Sequence, residues 1–286
     1  MNYSTLKELI ELAENHDKKI FDIVQMVEAE QDFLSLEEVW DKMETSWRVM
    51  SHSIQKGLKN ANPSVSGLSG GDAKKLSMSK PIYLSRELSE AVAMALGVAE
   101  INACMGKIVA CPTAGSCGIV PAALTFAKKK HGYSEKEIIS SLFTAAGIGI
   151  VCSINASISG AEGGCQAECG VAAAMASGAL VELAGGSPSM VGDAVAICLT
   201  NQMGLVCDPV AGLVEIPCVQ RNAGSLMQGI LAAEQALAGV KSMIPVDEVI
   251  KAMQEVGEAL PESLKETGEG GLASTPTGRE MAKRLF

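Results

Sequence analysis

Apolar residues recur at steps of three and four along the start of the chain: Leu6, Leu9, Ile10 and Ala13, then Ile20, Ile23, Val24 and Val27. That spacing puts each set on one face of a helix. A third stripe, Leu36, Val39, Trp40, Met43, Trp47 and Ile54, follows Ser35, with Glu38 three positions after that serine. A Ser-x-x-Glu pair ahead of an apolar stripe is a capping box, in which hydroxyl and carboxylate each satisfy a free backbone N–H. Ser134 and Glu137 repeat it, Ser85 opens a helix to about residue 103, and further helices are expected over 223–238 and 246–260. No run shows the period-two alternation and hairpin turns of strands. The expected fold class is mostly α: one compact multi-helix domain over 1–286 with glycine- and serine-rich ligand-binding loops.

The pattern changes along the chain. Residues 1–60 form the amphipathic part. Residues 60–72 hold glycines, a proline and serines and read as a long loop of the kind that often carries function. Over 104–222 charges become scarce and Gly, Ala, Ser and Cys dominate, so helices can pack closely and backbone can approach a ligand. Residues 223–286 return to helices and end in a second glycine-rich stretch, 268–278. Positions 108–127 and 138–161 carry no charge, which meets the length of a membrane span. Pro112, Pro121, Asn155 and many Ser, Thr and Gly residues interrupt them, and aromatic belts are missing. Buried helices of a soluble protein, with no membrane partner, are the expectation.

Composition narrows the function. The 286 residues carry 23 basic and 33 acidic side chains, a net charge of −10, which repels phosphate backbones and argues against nucleic acid as a partner. An apolar fraction of 48% excludes a disordered chain. Nine cysteines, an odd number, with no basic start and short apolar run before them, point to reduced thiols in the cytoplasm.

Three segments differ from ordinary core. In residues 110–118 (ACPTAGSCG), Thr113, Ala114, Gly115 and Ser116 offer backbone N–H groups and hydroxyls ahead of a helix, suited to a carboxylate or phosphate. A tight helix connection would have the same composition. In residues 155–165 (NASISGAEGGC), Asn155, Ser157, Ser159 and Glu162 interrupt an apolar run, and a polar ligand or bonds back to helix carbonyls would satisfy them. The third contains Cys207-Asp208-Pro209, Cys218 and Arg221-Asn222. Cys207 follows Cys165 by 42 residues and precedes Cys218 by 11. This is neither a zinc ribbon nor a ferredoxin run, so spacing alone leaves metal ligands and inert core thiols both open.

Several long motifs together are more specific. Residues 111–121 (CPTAGSCGIVP), 155–170 (NASISGAEGGCQAECG), 207–222 (CDPVAGLVEIPCVQRN) and 270–278 (GGLASTPTG) make the chain resemble the catalytic α subunit of the iron–sulfur-dependent bacterial L-serine dehydratases, over most of its length. The resemblance implies an all-helical catalytic part and a [4Fe–4S] cluster held by Cys165, Cys207 and Cys218, with one iron lacking a protein thiolate. It also implies a β subunit as partner, because the regulatory-type domain of single-chain members is missing. The implied reaction eliminates water from L-serine, the open iron binding the poor leaving group; the aminoacrylate product then hydrolyses to pyruvate and ammonia. Thr113, Ala114, Gly115, Ser116, Asn155, Ser157 and Ser159 are the expected substrate contacts. Cys169, four residues after Cys165, is the rival ligand.

The base that removes the Cα proton stays open among Lys107, His52 and Glu162, and a base from the partner is also possible. A pyridoxal-phosphate dehydratase is a competing reading, but it needs a Schiff-base lysine, and none lies between Lys136 and Lys241. An iron–sulfur electron carrier or redox sensor is the alternative outside enzymology.

Overall fold

The amphipathic stripes become α1 (Leu6–Asn15), α2 (Ile20–Gln31) and α3 (Leu36–Lys59), with Leu6, Leu9, Ala13, Ile20, Ile23, Val24, Val27, Trp47 and Ile54 buried. Ser35 accepts the Glu38 N–H and the Glu38 carboxylate accepts the Ser35 N–H, a cap that stabilises α3 by about 1 kcal/mol. Then come α4 (Asp72–Met78), α5 (Arg86–Ala103), α6 (Ile119–His131), α7 (Glu135–Asn155), α8 (Gly160–Gly163), α9 (Val171–Leu183), α10 (Pro188–Gln202), α11 (Cys218–Leu237), α12 (Val246–Ala259) and α13 (Pro276–Leu285). The computed structural model describes residues 1–285. Among these the only β feature is an isolated bridge between Cys207 and Lys265.

α9 is the axis of the fold. Its residues from Val171 to Glu182 are all buried, as an all-round apolar helix requires, and α6, α7, α10 and α11 pack around it. Small residues set these distances. A Cβ on Gly229 of α11 would come 2.8 Å from the Ala173 carbonyl oxygen, and one on Gly57 of α3 would come 2.3 Å from the Gly97 carbonyl carbon of α5. The second crossing is backbone on backbone, and it delivers the 60–72 loop from the end of α3. α7 is the one helix, among the described residues, long and apolar enough to cross a bilayer; 67% of its most apolar window is buried in the core.

Two expectations need correction. α11 begins at Cys218 rather than near residue 223, because the Val219 N–H already bonds the Glu215 carbonyl and turns Cys218 and Val219 inward. The 268–278 stretch is also more than a tail. It supplies a 3₁₀ turn and the start of α13, and it packs against Asp208.

Candidate metal and active site

α9 is preceded by a wide turn. The Val171 N–H bonds the Gln166 carbonyl five residues back, making residues 166–170 a π-helical segment, a feature often found where side chains must be re-aimed for function. Cys165, Glu168 and Cys169 lie on or beside this turn and all are buried. Opposite them runs the segment carrying Cys207, whose N–H bonds the Leu264 carbonyl and whose carbonyl accepts the Glu266 N–H. Cys218 opens α11 and is buried too.

One ligand atom each from Cys165, Glu168 and Cys207 falls within 4.8 Å of the others, and the Cys207 thiol lies 3.9 Å from Glu168 Oε2. Gly160 makes the space: a Cβ there would sit 2.6 Å from Glu168 Oε2 and 3.0 Å from Cys207 Sγ. Cys218 stands outside this tight set but near enough that the charges of Cys165 and Glu168 push its thiol pKa up, after burial.

The electrostatics concentrate one negative charge on Cys165. Thiol hydrogen bonds from Cys169 and Cys207, then the Arg221 guanidinium, hold its pKa down, while the same thiolate and burial hold Cys169 and Cys207 up. Arg221 Nη1 lies 3.3 Å from Cys165 Sγ and donates to the Val206 carbonyl; Nη2 donates to Asp208 Oδ1 at 2.7 Å. Asp208 in turn accepts the Leu272 N–H at 2.7 Å. A Cβ on Gly271 would come 2.3 Å from that carboxylate, so the glycine is required for the clasp. Burial, then the Cys165 charge, pushes Glu168 up to about 7.

The 110–118 segment joins this centre. The Thr113 hydroxyl donates to Glu168 Oε1 at 2.9 Å, and the Gly115 Cα faces the same carboxylate, where a Cβ would sit 3.3 Å from Oε1. Asn222 clips the segment to α11, donating to the Gly115 carbonyl at 2.7 Å and accepting the Gly118 N–H at 2.9 Å. Asn102 donates to the Ala114 carbonyl, and Ser116 is buried with its hydroxyl on the Cys111 carbonyl.

The 155–165 segment uses its polar groups differently. Asn155 donates to the Ser4 carbonyl at 2.6 Å and the Val151 carbonyl at 2.9 Å. Ser157 donates to Glu162 at 2.6 Å and accepts the Ser159 N–H, while Ser159 itself is half-buried. Of the three base candidates, Glu162 and Lys107 are exposed, and His52 is exposed in a groove on α3 with Gln55, Lys56 and Lys59. The five thiols Cys104, Cys111, Cys117, Cys152 and Cys198 stay outside the electrostatic group around Cys165, and all nine cysteines are free.

Glu168 and Glu215 carry structure that sequence reasoning missed. Glu168 had a visible signal: a carboxylate three residues after Cys165 in a stretch almost without charge. Glu215 had none. It is buried three residues before Cys218, and its carboxylate accepts the hydroxyls of Ser64, Ser66 and Ser69. The serine-rich 60–72 loop is thereby tied to the Cys218 segment.

Helices built around a buried thiol–carboxylate group, backed by one guanidinium, define a helical protein with a candidate metal centre. Residues 15–273 match the family model for the serine dehydratase alpha chain, and the chain belongs to that family. It is 47% identical to the probable L-serine dehydratase, alpha chain, of Bacillus subtilis, over 99% of this chain and 95% of that one. It is 42% identical to the L-serine dehydratase, alpha chain, of Peptoniphilus asaccharolyticus, over 98% and 97%. An L-serine dehydratase of Helicobacter pylori is 36% identical over 96% of this chain, which spans 62% of that longer protein.

Proposed function

We propose that this chain is the catalytic α subunit of a cytoplasmic L-serine dehydratase, converting L-serine to pyruvate and ammonia together with a β subunit. The observation that carries the reading is the gathering of the Cys165 and Cys207 thiols around Glu168, which Thr113 holds, with Cys218 buried at the start of α11, in a family whose members of similar length are named L-serine dehydratase, alpha chain.

The residues present fit an iron–sulfur cluster. Three buried thiols approach from three separate segments, Gly160 leaves room where any side chain would collide, and Arg221 offsets thiolate charge. Cys165, Cys207 and Cys218 would hold a [4Fe–4S] cluster, with Cys169, buried four residues after Cys165, as the rival ligand. When bound, the cluster supplies a Lewis-acidic iron for the hydroxyl leaving group. The other tasks belong to the chain. Thr113 and Gly115 lie against Glu168, and with Ala114 they would hold the serine carboxylate. Glu168 takes the proton-handling role on its carboxylate oxygens by position, because Lys107, His52 and Glu162 are exposed and make no contact with the thiol group. Asp208, pinned by Leu272, keeps Arg221 aimed at Cys165.

The test is pyruvate formation from L-serine by anaerobically purified chain, with and without the β subunit. Turnover that depends on iron and on β is the expected result. Equal turnover by metal-free protein would overturn the iron-dependent reading.

A further inference from the structure

Between α4 and α5 the chain displays apolar side chains that nothing covers. Met78 is 77% exposed, Ile82 85% and Tyr83 97%, with Leu84 beside them at 40%. Single exposed apolar residues are ordinary, but four within seven positions are a patch. The segment also curls over a groove of about 510 Å³ that Leu76, Pro81 and Leu84 line from its apolar side.

The charge around this patch is opposite to that of the whole chain. Lys74, Lys75, Lys80 and Arg86 lie between Asp72 and Glu87 with no acidic residue among them, on a chain of net charge −10. Lys75 pairs with Asp72 and Arg86 with Glu90, while Lys74 and Lys80 have no ion pair among the described residues. An apolar, aromatic centre inside a charged rim is the anatomy of a protein–protein contact. A two-fold contact between copies of this chain would bring basic rim against basic rim, which disfavours self-pairing. The fitting partner is a different chain with an apolar pocket ringed by carboxylates.

The location ties that partner to the site. α4 follows directly on the 60–72 loop, and Glu100 of α5 accepts the Asp72 and Ala73 N–H groups where loop meets helix. The same loop places three serine hydroxyls on Glu215, three residues before Cys218. A protein seated on residues 78–86 therefore stands one short helix away from a loop fastened to the Cys218 segment.

We propose that residues 78–86 are the seat of the β subunit, with Ile82 and Tyr83 as apolar anchors and Lys74 and Lys80 as the charged rim. This rests on the reading that a β subunit completes the enzyme. The experiment measures the affinity of full-length α for β by sedimentation at low and moderate salt. It uses wild type, the double variant Ile82→Ser/Tyr83→Ser, Lys80→Glu, and Phe33→Ser as a control, since Phe33 is 96% exposed elsewhere. The expected result is at least a tenfold weaker Kd for the double variant. Lys80→Glu should be weaker mainly at low salt, and the control unchanged. All variants should keep the wild-type circular dichroism and thermal midpoint. A double variant that binds β like wild type overturns the seat and leaves the two-subunit reading intact. A wild-type chain that never binds β overturns both. Self-association abolished by the double variant would assign the patch to a second copy, against the proposal.

Discussion

The two polar segments of the small-residue region look alike in sequence and are used in opposite ways. In 110–118, Thr113 and Gly115 face the Glu168 carboxylate beside the buried thiols. In 155–165, Asn155 is spent on the carbonyls of Ser4 and Val151, and Ser157 on Glu162 at an exposed edge. Each group has satisfied its hydrogen-bonding needs, but only the first has done so at the centre of the site. A polar residue in an apolar run thus signals that a partner is needed, not which partner it is. Besides Cys165 at its end, what the second segment contributes to the site is Gly160, through the side chain it lacks.

The largest effect expected is from the thiols. Cys207→Ser should abolish iron binding and lower turnover by at least about 100-fold, since even outer partners of a metal site cost 10–100-fold. Metal analysis of the purified variant checks this, and unchanged iron would move the site to Cys169. Next comes Glu168→Gln, which keeps the shape of the side chain but not its acid–base function. Steady-state kinetics should show kcat down by about 10²–10⁴ with iron retained. A smaller effect is expected at Thr113→Ala, where one hydrogen bond worth about 1 kcal/mol is lost and KM for serine should rise roughly fivefold. The smallest kinetic effect belongs to Asn155→Ala. It should lower stability in urea unfolding by about 1 kcal/mol and leave KM within twofold of wild type. If Asn155→Ala raised KM more than Thr113→Ala, the contrast between the two segments would be reversed.

The legibility of the sequence follows the same division. The stripes of α1 to α3 and the boxes at Ser35 and Ser134 were readable because one face meets water and the other meets core. α9 carries no such stripe, since it is buried from Val171 to Glu182, and periodicity disappears when there is no wet face. α4, seven residues long, is held by Glu100 near the C-terminal end of α5 rather than by a cap of its own. At the site, the motifs containing Cys165, Cys207 and Cys218 could be recognised, but not their meeting place. That depends on the π turn before α9 and on the Leu264 and Glu266 backbone that brackets Cys207. The pairing of Arg221 with both Cys165 and Asp208 spans segments 56 and 13 residues apart, beyond the reach of any local pattern.

The most direct measurement is iron and acid-labile sulfide per chain, on protein purified without oxygen, for wild type and for Cys165→Ser, Cys207→Ser, Cys218→Ser and Cys169→Ser. About four of each per wild-type chain is predicted, lost in the first three variants and retained in the fourth. Full iron and sulfide in Cys218→Ser, or a wild-type chain without iron, would contradict the assignment of these three thiols as the cluster's ligands.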